Sequence, residues 1–394
     1  MGQLVSRGTS DYGRALGALF CIGIGAYALT YAPQPLLRVI GEEYGVGASQ
    51  SALLLSAATF GLATSVLIWG AITSRVSERR VIIGGLAAAV LVSLIIPFTH
   101  SWGIIVVQRV VQGIALAAPF TAALAWVGRH VELASVAQVS GLYIAGTTVG
   151  GMTGRLLSGF VNEMTGDWRM GLAAVSLLSA IMGGLAHLLL PATEGGTGGG
   201  EQPPPRPELP WYKRQRLVAY LFSLVGMGTF VGLYNVVVYR VSEPPLSMGT
   251  SVTSLLFLGY LAGTFTSARA GRLIASIGVR GAMIVGTVTM AVGVALLIPP
   301  SAYTLWPGLF ILCGGFFAMH SIQSGRATSL HPKPGIGSGL YLTYYYAGSS
   351  LGGIGFGLAW DLGHWPAAMG LAFSALGVLA VLALLTSNGQ PASR

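Results

Sequence analysis

Two arginines lie deep inside apolar runs of the chain. Arg109 and Gln112 interrupt the run from Trp102 to Val127, which is long enough to cross a bilayer at about 20 residues. Arg109 lies seven residues in from Trp102, roughly 10 Å along a helix. A guanidinium at that depth costs at least ~2.5 kcal/mol unless it snorkels or finds partners. Arg155 sits about six residues from the outer end of the next run, roughly 9 Å deep. Each has two readings. Arg109 is either satisfied by backbone carbonyls and helix-end dipoles or is a cavity residue for binding or coupling. Arg155 is either a packing arginine that snorkels outward or a second cavity group. In a later run His320 and Gln323 lie one helical turn apart. With His187, His320 is the intramembrane group able to titrate near neutral pH. Tyr31, Gln34 (between Pro33 and Pro35), Asn235, Tyr239, Tyr344, Tyr345 and Tyr346 offer polar and aromatic cavity walls, or pack between helices.

These residues need helices to hold them. The chain is 53% apolar and 8% charged, with a mean hydropathy of +0.71, where a soluble domain carries about 25% charge. That identifies an integral membrane protein, and the 58 glycines fit helices that approach closely. Hydropathy predicts twelve spans, near 14–38, 49–73, 80–98, 102–127, 135–161, 168–190, 215–239, 251–274, 280–299, 305–325, 337–361 and 365–386. The expected organisation is a six-helix half over 1–190, a Gly/Pro-rich linker over 191–214 and a second half over 215–394. Cys21 and Cys313 both fall within spans, so no disulfide is expected.

The formal charge of +9 does not imply a nucleic-acid partner, because the basic residues fall at the span ends. With the N-terminus in the cytoplasm, sixteen of the 21 Lys and Arg are cytoplasmic, and Arg38, Arg169 and Arg240 alone mark the outer ends. Both termini and the linker are then cytoplasmic. The halves also repeat one another. Arg38 and Arg240 are 202 positions apart, as are Gly146 and Gly348, and Gly113 and Gly315; Gly70 and Gly271 are 201 apart. Repeats of this kind build transporter folds with a site at their interface. At the positions equivalent to Arg109 and Arg155 stand Ile311 and Gly357, so the charge is confined to the first half.

The run GAITSRVSERR (Gly70 to Arg80) resembles the loop signature of the major facilitator superfamily, matching at Gly70, Arg75 and Arg79. Ser74 stands where that signature has Asp, Ser77 where it has Gly, and Glu78 where it has Arg; Arg80 adds a base. The second half keeps Gly271, Gly278 and Arg280 of a weaker copy. RVVQG resembles the fourth-helix motif at Arg109, Gln112 and Gly113. GTTVGG resembles the fifth-helix motif of the antiporter branch, with Thr147 in place of Pro. Further stretches, YAPQPLL, GGMTGRLLSG, GFFAMHS and YYYAGSSLGG, are similar to the YnfM-type bacterial inner-membrane permeases of the drug- and sugar-efflux kind.

The resemblance implies an all-α membrane protein of twelve transmembrane helices in two pseudo-symmetric halves, the major facilitator fold, working by alternating access. It implies proton-coupled export of a small organic solute. It gives Arg75, Arg79 and Arg80 the role of a conformational latch, with Glu78, Gly271 and Arg280, beside their plainer role as positive-inside anchors. It also faces spans one, two, four and five to a central cavity, which would bring Arg109 and Arg155 together. An anion or lipid-like carrier built on these two arginines is the alternative. A receptor or intramembrane enzyme is the reading from another class, but no GxxxxGK[ST] or HExxH motif or Cys/His cluster is present. None of the twelve acidic residues lies well inside a span, although exporters of cationic drugs commonly use an embedded acid. The expectation is therefore a monomer in a bacterial inner membrane with no cofactor, metal site or catalytic group. Its partners are the small solute and the bilayer, and its energy source is the proton gradient.

Overall fold

The computed structural model describes residues 4–191 and 210–388, so the expected linker lies largely outside the described residues. The first helix, α1 (Ser10–Tyr31), starts at Thr9, whose side chain accepts a hydrogen bond from the Tyr12 N–H. Pro33 and Pro35 end it, and a 3₁₀ turn over Gln34–Leu36 leads into α2 (Leu37–Tyr44). Next come α3 (Ala48–Ser51), α4 (Leu53–Thr73), α5 (Glu78–Ile95) and α6 (Trp102–His130). α7 (Leu133–Thr165) stops at Gly166, where φ is 70°. α8 (Trp168–Leu189) starts at Asp167, whose carboxylate accepts from the Arg169 N–H at 2.9 Å.

α9 (Pro210–Ser242) opens the second part. The span expected over 251–274 is broken instead into α10 (Thr250–Leu255), a 3₁₀ turn and α11 (Tyr260–Ser267). α12 (Ala270–Leu296) begins ten residues earlier than expected and is interrupted at Gly278, whose φ of 73° suits a residue without a Cβ. α13 (Ala302–Ser329) follows. The spans expected over 337–361 and 365–386 form one element, α14 (Pro334–Leu385), broken only at Gly363 and His364. Among the described residues, nine helices are long and apolar enough to cross a membrane. α7 and the broken α10–α11 stretch fall outside that group, and α14 counts once while covering two expected spans.

The described residues cluster into two compact units. One runs to Leu36 and resumes from Ala57 through α8; the other takes Leu37–Ser56 and everything from α9 onward. Within the first, α1 packs on α7 and α8, and α5 on α6 and α8. Gly146, Gly150 and Gly154 of α7 let this happen: a Cβ on any of them would meet the backbone of Phe20, Ile24 or Ala28 in α1. Within the second, α9 packs on α14 and α13 on α12. Gly348 and Gly352 of α14 press on the backbone of Leu224 and Gly228 in α9 in the same way. The repeat seen as an offset in sequence is thus a repeat in packing. Large apolar side chains such as Ile68, Leu91, Val107, Leu177 and Val288 remain exposed on the outer helix faces, as a lipid-facing surface requires.

Candidate functional site

Both deep arginines grip one segment, the end of α1 and the turn after it. From α6, Arg109 donates through Nη1 to the Leu29 carbonyl at 3.3 Å and through Nη2 to the Thr30 carbonyl at 2.7 Å. Nη1 also reaches Gln112 Oε1, and Gln112 Nε2 donates to the Ala89 carbonyl of α5 at 3.2 Å. The last carbonyls of α1 lack helical partners and carry the negative end of its dipole, so they suit a cation. A hydrogen bond to a charged group is worth about 1.5–3 kcal/mol. Three of them supply about 4.5–9 kcal/mol, above the ~2.5 kcal/mol of the insertion scales. Gly113 lies against α4, where a Cβ would run into the Ala58 carbonyl.

From α7, Arg155 donates through Nε to Gln34 Oε1 at 2.7 Å and through Nη1 to the Gly151 carbonyl at 2.8 Å. Its guanidinium lies 4.3 Å above the centre of the Tyr31 ring. Arg155 does not snorkel outward; it is 1% exposed and turned inward. Ser158, one turn along, donates to the Ala32 carbonyl at 2.7 Å. Residues 29–34 therefore gather Arg109, Gln112, Arg155, Tyr31 and Gln34. The outer carboxylate Glu42 of α2 is bonded to Arg38 at 2.7 Å.

The loop signature after α4 makes contacts within the same unit. Glu78, buried in the first turn of α5, binds Arg129 Nη1 at 2.5 Å and lies 3.6 Å from His130 Nε2. Arg79 Nη2 caps the end of α8 by donating to the His187 carbonyl at 2.8 Å. Gly70, Arg75 and Arg80 are exposed. Arg129 is the residue that sequence reasoning passed over as a topology signal, and its place in the last turn of α6 was the available clue. In the second unit Gly271 lies in the first turn of α12, and the Arg280 N–H donates to Asn388 Oδ1 at 2.8 Å.

His320 stands in a box of rings. Tyr341 OH lies 2.9 Å from its Nδ1, and the Phe316, Phe317, Tyr341 and Tyr345 rings lie 4.9–6.2 Å from its own. Phe230 of α9 stacks on Phe316 at 4.4 Å and touches Tyr234 and Tyr260. Sequence reasoning missed Phe230, Tyr260 and Phe317, because rings from α9, α11 and α13 meet only through tertiary packing. Tyr344 joins Tyr220 instead, at 5.4 Å. Gln323 is buried and donates to Thr386 Oγ1 at 3.3 Å, away from the ring box at the end of α14.

Asn235 and Tyr239 belong to a different cluster. Tyr239 OH bonds Ser51 Oγ and donates to the Leu37 carbonyl at 3.3 Å. Asn235 lies beside Gly353 and Ser56. Asp361 of α14 accepts from the N–H groups of Ala48 and Ser49 at 2.9 and 3.0 Å, and Ser350 donates to the Ser56 carbonyl at 2.8 Å. This clasp holds Leu37–Ser56 to α9 and α14.

Similarity to known proteins agrees with this architecture. The Major Facilitator Superfamily profile matches residues 19–353. The chain is 31% identical over 382 residues to an MFS-type transporter, YybF, of Bacillus subtilis, covering 93% of this chain and 92% of that protein. It is 30% identical to the inner membrane transport protein YnfM of Escherichia coli, covering 92% and 88%. Among solved structures it superposes on the nucleoside transporter NupG with a TM-score of 0.73 at 13% identity, over 94% of this chain and 97% of that one. A bacterial homologue of the lysosomal transporter Spinster gives 0.66 at 15%, over 96% and 95%. Helices paired through glycine contacts in both repeats, a cationic α1–α6–α7 junction and a profile spanning most of the chain converge: it belongs to the major facilitator superfamily and is a multi-pass, non-enzymatic membrane transporter of the secondary, alternating-access type.

Proposed function

We propose that this transporter exports a small organic solute, drug- or sugar-like, in exchange for protons. The observation that carries the proposal is the half-buried His320 in its box of Phe316, Phe317, Tyr341 and Tyr345. Rings give an apolar solute area, the tyrosine hydroxyls give polar handles, and a histidine is the side chain best suited to change charge near neutral pH. Among the described residues every acidic side chain lies at or near a helix end, which leaves His320 as the proton carrier at membrane depth. Arg109 and Arg155 fix the α1–α6–α7 junction and act in coupling. Carbonyl and amide acceptors inside the protein hold both, so an anionic solute finds no support in their geometry.

The halves 1–190 and 215–394, joined by a cytoplasmic linker, work by alternating access in a bacterial inner membrane. Both termini are cytoplasmic, as the Lys and Arg distribution supports. The unit acts as a monomer without cofactor. The test is a thermal-shift screen of drug-like and sugar-like compounds, followed by flux of each hit in proteoliposomes with an imposed pH gradient. Hits that move only down the proton gradient's driving force support the proposal. Hits that bind without moving would make the protein a receptor.

A further inference from the structure

An apolar groove of about 420 Å³ opens within the second unit, and none of the rings of the His320 box lines it. α11 supplies Ala262 and Thr266 to its walls, α12 supplies Val285 and Thr289, and α13 supplies Ile311 and Gly314. The wall hydroxyl of Thr266 is satisfied within the protein, donating to the Gly314 carbonyl at 2.9 Å, which leaves the groove apolar. Around it Leu261, Phe265, Ile284, Val288 and Val292 are exposed, so the groove opens on the lipid-facing surface. At one end stands Arg269, between α11 and α12. It lies over the Phe265 ring and donates to the Phe265 carbonyl at 3.2 Å, and among the described residues no carboxylate pairs with it.

We infer that this groove binds an anionic phospholipid, one acyl chain lying in the groove and the phosphate meeting the Arg269 guanidinium. The dimensions agree. Regular helix in α12 resumes at Val279 after the break at Gly278, and Thr289 lies ten residues on, about 15 Å. That equals half of the roughly 30 Å hydrocarbon core. An arginine at the interface with an apolar channel running to the bilayer midplane matches a lipid with its headgroup outward. The charge agrees too, since basic pockets between transmembrane helices select anionic headgroups. Arg272, exposed one turn away, adds to the same field.

The test is native mass spectrometry of the full chain in detergent, titrated with dioleoylphosphatidylglycerol or dioleoylphosphatidylcholine. The expected result is tighter retention of the anionic phosphatidylglycerol by about fivefold, the gain one basic side chain brings at an anionic surface. Arg269→Gln should remove that preference. Val285→Trp, at a half-exposed wall position, should fill the groove and weaken the first bound lipid of either kind. Equal retention of the two lipids by the unaltered chain, or a preference that survives Arg269→Gln, overturns the inference. Arg269→Gln alters an exposed side chain, so it remains decisive if Val285→Trp does not fold. Transport at the His320 box is a separate measurement and can fail independently.

Discussion

Arg109 and Arg155 differ in how replaceable they are, and the reason is geometric. Arg109 sends two nitrogens to two successive carbonyls, Leu29 and Thr30. An ammonium cannot reproduce that fork. Arg109→Lys should therefore lose transport nearly as fully as Arg109→Ala, by about tenfold or more in flux, at the ~1.4 kcal/mol that a factor of ten represents. Both proteins should still elute as folded species from size exclusion, and an aggregated Arg109→Lys would sink the argument. Arg155 bonds the Gln34 side chain and stacks on Tyr31. Gln34→Ala should thus reproduce part of the Arg155→Ala defect, and the double variant should be no worse than Arg155→Ala alone, because the pair acts as a unit. Additive losses in flux would show that the two residues act separately. The sequence marked all of these residues, since charge in an apolar run is conspicuous. It could not choose between carbonyl partners and an open cavity, because that depends on where the end of α1 lies relative to α6 and α7.

At the scale of helices, the glycine contacts and the clasp make opposite demands. The α1–α7 contact admits no side chain at Gly150, where a Cβ would enter the Ile24 backbone. Gly150→Leu should abolish folded protein, whereas Gly184→Leu in α8, with open space at its Cβ position, should be tolerated. Measuring monodisperse yield of each distinguishes them. Glu78 is a milder case. Its partner Arg129 is 37% exposed, so solvent screens the pair. Glu78→Gln should cost about 1 kcal/mol and lower the melting temperature by a few degrees; no change would mean the pair contributes nothing. The clasp rests on few bonds. Asp361 holds Ala48 and Ser49 by two N–H bonds at a helix start, an arrangement worth at most ~2 kcal/mol from the dipole. Asp361→Ala should speed maleimide labelling of a cysteine placed at Ser51, which is buried. Unchanged labelling would show that Asp361 does not keep this end shut. The repeat offset made the α1–α7 and α9–α14 pairs readable, since Gly146 and Gly348 are equivalent. The grouping of Leu37–Ser56 with the second unit was hidden, because nothing local in YAPQPLLR or GASQS names a partner more than 180 residues away.

For the molecule as a whole, the division of charge matters. The first unit buries Arg109 and Arg155 at 2% and 1% exposure, while the second buries Arg216 and Arg326 less completely and holds the ring box with His320. If His320 carries the proton, His320→Gln should abolish the response of flux to a pH gradient while solute exchange at equal pH persists. Full gradient-driven flux in that variant would remove His320 from coupling. The class of the protein was legible from composition, and its family from short motifs in both halves. The ring box was not legible, because aromatic residues in apolar spans look alike until α9, α11, α13 and α14 are assembled. α14 carries a further consequence, for how the chain lies in the membrane. Its 52 residues would measure about 78 Å as one straight helix, against a hydrocarbon core of roughly 30 Å. The break at Gly363 and His364 must therefore turn the chain back within two residues. So short a turn leaves no loop to be threaded across the bilayer by itself. The two arms of α14 therefore lie in lipid as a single hairpin, with Pro334 and Leu385 on the same side of the bilayer.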